Sequence, residues 1–118
     1  MVLRAHSPAR AFTLVEIMIV AAIISLLALL AIPGFQKVRH AAQDKAVLNN
    51  IRLMTGAADQ YMMQQGVTAV AAVDLIGPDN FVKVFKTVAG ETYPQTYIQG
   101  TTVTVTGIAG IRTITYGL

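Results

Sequence analysis

Residues 12–35 read FTLVEIMIVAAIISLLALLAIPGF, and the fold of the whole chain turns on what this stretch is. Its centre, Ile17 to Ile32, runs for 16 residues without a charge and with Ser25 as its polar interruption. As a helix rising about 1.5 Å per residue it covers roughly 24 Å, short of a bilayer core of about 30 Å. Started at Phe12, the helix has 21 residues to Ile32 and reaches about 31 Å, which spans. That span has to contain Glu16. An ionised carboxylate at the middle of a membrane helix costs roughly 2.5–3.5 kcal/mol on the lenient insertion scale, and less near an end. Glu16 lies near an end, where it is tolerable but still asks for a reason.

The rest of the composition agrees with a lipid-embedded segment. The chain has 118 residues, 54% hydrophobic and 13% charged, against roughly 25% charged in an average soluble domain. That length leaves room for one domain, and the apolar content excludes disorder. With no cysteine, disulfides, thiolate metal sites and Cys nucleophiles are all excluded. The net charge of +3 is small, and Arg4 and Arg10 both precede the apolar run, which is no nucleic-acid footprint.

Three readings of the run compete. A secretory signal peptide has a shorter apolar core and a small-x-small cleavage site, whereas the exit here offers Leu29-Leu30-Ala31. A plain membrane anchor explains the run and the upstream arginines but leaves Glu16 an accident. A third reading cuts the chain before the run, between Ala11 and Phe12.

The residues Phe12 to Phe35 resemble the N-terminus of type IV pilins and of the pseudopilins of type II secretion systems. A short basic leader, Phe12 directly after the presumed cut, Thr13-Leu14-Val15-Glu16 behind it, the apolar run and then Pro33 carry the resemblance, which fades after about Tyr61. The family usually has Gly before the cut, where this chain has Ala11. The resemblance implies cleavage after Ala11 by a prepilin peptidase, N-methylation of Phe12, and growth of a filament on an inner-membrane assembly platform. It also implies that Glu16 of one subunit meets the Phe12 amine of another inside the apolar bundle. Each charge unpaired is a penalty there, so pairing favours both the register and the assembled state. The bland alternative, Glu16 complementing the helix dipole from the first turn, can coexist with that pairing, which the neighbouring residues favour.

Pro33 removes a backbone hydrogen bond inside a helical pattern, and with Gly34 beside it the sequence predicts a kink there; the bland reading is a helix stop. Beyond it, Phe35, Val38, Ala42, Leu48, Ile51, Met54, Ala58, Tyr61 and Met62 recur mostly at steps of three and four, the mark of one buried helix face, and Gly66 caps the end. Thr55-Gly56 is a weak point in that helix. From Val67 the helical period is lost. Val67 to Ile76 reads as a short helix or an irregular segment, and Phe81 to Val88 as a short helix or an extended piece. Thr101 to Thr106 and Ile111 to Tyr116 alternate with period two around Gly107-Ile108-Ala109-Gly110, which predicts a hairpin over about 101–116, with Gln95 to Gln99 a candidate third strand. A lone hairpin is marginal in water, so it is expected to lie on the helix.

The expected fold class is therefore α+β, a long N-terminal helix packed on a small antiparallel sheet. The expected parts are a cytoplasmic leader at 1–11, a transmembrane and assembly helix at 12–34, an amphipathic helix at 35–66 and a small periplasmic part at 67–118. No catalytic set, cofactor site or metal site is expected. His40 stands alone, and Asp74, Asp79 and Glu91 are scattered. Major pseudopilins often bind calcium through late acidic residues, but no carboxylate side chain follows Glu91, so that site is not expected. Lys83, Lys86 and Arg112 are too few for a nucleic-acid tip. The resulting expectation is a structural, homo-oligomerising pilin-like subunit of the inner membrane. A secretion pseudopilus is favoured over a surface pilus by the short chain without a cysteine pair. The alternative is a membrane-anchored periplasmic binding domain that never assembles.

Overall fold

The computed structural model describes residues 2–5 and 10–117; the remainder of the expected leader lies outside the described residues. The elements are α1 (Leu14–Gln65), β1 (Ala69–Ala71), the single turn α2 (Ala72–Leu75), β2 (Thr96–Ile98), β3 (Thr102–Ile108) and β4 (Arg112–Gly117). Two compact units divide the chain, Met1–Lys37 and Val38–Leu118.

In the first unit α1 begins at Leu14, two residues later than the span read from the sequence. Its apolar side chains are exposed on every side, from Leu14 through Ile32. A helix that is apolar all round and that none of the described residues covers belongs in lipid or among other helices. Ser25 does not disturb this, because its hydroxyl donates to the Ala21 carbonyl at 2.8 Å, one turn back. Helix α1 continues through Pro33 and Gly34, so Pro33 is no helix stop, and it continues through Gly56 as well.

The second unit is built on the later part of α1. Val47, Ile51, Met54, Ala58 and Met62 are buried at steps of three and four and form one stripe. The stripe begins later than the sequence pattern implies. Val38 and Ala42 are exposed and Leu48 is half-buried; the buried core on α1 begins at Val47, and before it the contact with β4 is the polar one made by Arg112. The C-terminus of α1 is a Schellman cap. Gly66 turns left-handed (φ 66°) and the Val67 N–H donates to the Met62 carbonyl at 3.2 Å.

Two two-stranded antiparallel sheets follow, β1 with β2 and β3 with β4. The candidate third strand is thus real but joins Ala69–Ala71, with Val70 opposite Tyr97, and not the hairpin. In Val67 to Ile76 the chain forms both a strand and one helical turn, and Phe81 to Val88 forms no regular helix. The hairpin lies where the sequence puts it, with Val103 opposite Tyr116 and Val105 opposite Ile114. A register shift between Val105 and Ile108, at Gly107 with φ 75°, keeps Val103, Val105 and Ile108 all on the buried side. These three join Val47, Ile51 and Met54 in a single core with Val70, Leu75, Val82 and Tyr97. The fold class is α+β, a long N-terminal helix and small antiparallel sheets.

Candidate functional site

The site read from the sequence sits at the N-terminal end of α1. Ala11 and Phe12 precede the first helical residue, and both are exposed. A peptide bond in non-helical, exposed backbone is the kind a peptidase can take into an extended binding groove. Arg10, Ala11, Phe12 and Glu16 line one open cleft.

Glu16 has a geometry that neither reading of it in the sequence foresees. Its Oε2 accepts from the Thr13 backbone N–H at 3.3 Å, and the Glu16 backbone N–H donates to the Thr13 hydroxyl at 3.2 Å. These reciprocal bonds are a capping box, in which Thr13 stands at the N-cap and Glu16 at the third helical position. The signal was legible, since Thr followed three residues later by Glu before an apolar run is its sequence form. The box satisfies two backbone donors that the helix start would otherwise leave open, a cost that grows as the surroundings become less polar. It also aims the carboxylate back past the helix end, toward the Phe12 side.

Pro33 and Gly34 lie inside α1, and a Cβ added at Gly34 would meet nothing within 4 Å. Close packing among the described residues therefore does not require glycine at 34.

The second unit holds two polar constellations that no sequence pattern announced. Arg112 on β4 donates to the His40 carbonyl at 3.3 Å and the Gln43 Oε1 at 2.9 Å, and pairs with Asp44 at 2.8 Å. It thus ties the hairpin to the helix and is not a free cation for nucleic acid. Glu91, 4% exposed, accepts from the backbone N–H of Val88 at 2.9 Å and of Ala89 at 2.6 Å and from the Tyr93 hydroxyl at 2.8 Å. Burial pushes its carboxyl up, but these bonds together outweigh it, and the net position is below the ordinary value. Tyr93 is raised, by burial first and by the adjoining Glu91 charge. The Glu91 carboxylate has its bonding capacity occupied by its own loop, which fits a structural brace better than a ligand site.

Among known proteins, a family model described as the prokaryotic N-terminal methylation motif matches residues 6–32. Comparison with curated proteins and with solved structures found no match. The matched span takes in the Ala11–Phe12 junction, the capping box and the apolar first part of α1, to Ile32. Residues 6–32 thus carry the class III prepilin-type N-terminal motif of type IV pilins and pseudopilins.

Proposed function

We propose that this chain is a structural filament subunit, held in the inner membrane by residues 12–34, cut between Ala11 and Phe12 by a prepilin peptidase, methylated on the new Phe12 amine, and polymerised through its apolar helix. The supporting observation is the coincidence of the methylation motif with an exposed, non-helical Ala11–Phe12 junction immediately before a capped, all-round apolar helix. Leader residues stay cytoplasmic and the second unit is periplasmic. Glu16 then has two roles at different times. In the lone subunit it closes the helix start with Thr13; in the filament it faces the Phe12 amine of a neighbour, and each charge gains a partner away from water. Of the two filament classes, the secretion pseudopilus is the closer fit, because the chain has no cysteine pair to close a terminal loop. No enzymatic role is proposed.

Mass spectrometry of the protein extracted from membranes tests the processing step. The expected species begins at N-methylated Phe12. A chain retaining residues before Ala11, or one beginning near Pro33, would overturn the assignment. Ala11→Gly is expected to process faster and a bulky residue at 11 to block the cut, because the position directly before the scissile bond has to be small.

A further inference from the structure

The turn joining β3 to β4 is uncharged, outward-facing and rigidly held. From Thr101 to Ile111 the chain has no ionisable side chain. Ala109, Gly110 and Ile111 are exposed, and Ile111, at 86%, is more exposed than any other large apolar side chain described in the second unit. One exposed isoleucine is ordinary on a protein surface. Here, however, the backbone around it is closed off. The Ala109 N–H donates to the Ala89 carbonyl at 3.0 Å, Gly110 to Gly107 at 2.9 Å and Ile111 to Ile108 at 3.3 Å. A tip whose N–H groups are already bonded can enter a less polar layer without stripping water from free donors. Positive φ at Gly107, Ala109 and Gly110 fixes its shape.

Arg112 determines where the tip lies. Its bonds to His40, Gln43 and Asp44 hold the turn beside the residues through which the chain enters the second unit at Val38. Val38 is 67% exposed, and Arg39 and Lys45 are exposed cations. The one carboxylate between Val38 and Lys45 is Asp44, and Arg112 neutralises it. This end of the unit therefore presents apolar side chains and positive charge together, the combination that an anionic lipid surface accepts.

We propose that the β3–β4 turn, with Ile111 at its tip, is a second membrane contact, seated in the anionic headgroup layer of the leaflet from which the chain emerges. The proposal rests on reading residues 12–34 as the membrane span. Val38 follows Ile32 by six residues of α1, about 9 Å of helix, and the headgroup layer adds about 5–7 Å on each side of the hydrocarbon, so the start of the second unit lies at its outer edge. The lone subunit is then held by two contacts, and joining a filament has to lift the tip out of the lipid.

The absence of cysteine allows a clean test on the full-length chain. Single variants Ile111→Cys, Thr101→Cys and Ile24→Cys, labelled with bimane, are reconstituted into phosphatidylethanolamine–phosphatidylglycerol vesicles containing spin-labelled lipid as quencher. Thr101 lies before β3, at the end away from the turn, and Ile24 lies within the span. The expected result is strong quenching at 24 and 111 and background quenching at 101. Quenching at 24 with none at 111 overturns the tip contact and leaves the span standing. No quenching at 24 overturns the span itself and the proposal with it. Equal quenching at 101 and 111 overturns the claim that the turn is the contacting end. Vesicles without phosphatidylglycerol should lose quenching at 111 and keep it at 24; unchanged quenching at 111 overturns the anionic part.

Discussion

With 4% of its surface exposed, Glu91 stays charged because two backbone N–H groups and the Tyr93 hydroxyl converge on it. Its folded pKa is depressed below the ordinary 4.5. A depressed carboxylate adds stability that is fully present above its unfolded value and is lost as the pH falls through its folded value. Glu91→Gln should therefore destabilise the protein at neutral pH by roughly 1.5–3 kcal/mol, the range for hydrogen bonds to a charged group. The difference from the parent chain should shrink below pH 4.5, and thermal melts in detergent at neutral and acid pH check both parts. Tyr97 behaves in the opposite way. It is 1% exposed, its hydroxyl has no partner among the described residues, and burial pushes its pKa up to about 12. Tyr97→Phe removes a buried polar atom that bonds nothing, so the melting temperature should stay level or rise, by the equivalent of about 1 kcal/mol. A fall of several degrees would reveal a partner for the hydroxyl.

At the level of elements, what was legible followed from local period. The apolar run, the cap at Gly66 and the alternating hairpin strands are each written within a few neighbouring residues, and each appears where the pattern put it. Strand β2 was misplaced because three residues carry no information about which distant strand they join; Tyr97 meets Val70 across a long stretch of chain. The Thr13–Glu16 box was local and could have been read. Glu91 and Arg112 could not, since the donors of the first lie in an irregular loop and the partners of the second lie on a helix some seventy positions away. Arg112→Ala tests that second tie. The pair is partly exposed, with side-chain exposures of 22% and 42%, so the loss should be about 1 kcal/mol, well below that of a buried pair. Hydrogen exchange of the β4 amides should accelerate about fivefold, with α1 amides near Ile51 unchanged.

Among the described residues nothing covers the apolar surface from Leu14 to Ile32, and a contiguous apolar surface of that kind has to be covered by lipid or by other copies. In the proposed filament the Glu16–Phe12 pair holds neighbouring copies together, and the capping box lets the charge of Glu16 be separated from its role at the helix start. Glutamine closes a capping box as glutamate does, so Glu16→Gln keeps the helix start and removes only the charge, whereas Glu16→Ala removes both. Insertion and cleavage should survive either change, because the span becomes more apolar and the Ala11–Phe12 bond is untouched. In the filament, a Phe12 amine left buried without its carboxylate costs roughly 3–5 kcal/mol. At about 1.4 kcal/mol per tenfold, that is over a hundredfold per contact. The decisive measurement is the yield of sheared or cross-linked filaments from cells expressing Glu16→Gln at parental levels. A collapse in yield, as deep as that of Glu16→Ala, is the predicted result; parental yield from the glutamine variant would reduce Glu16 to a helix cap and contradict the pairing.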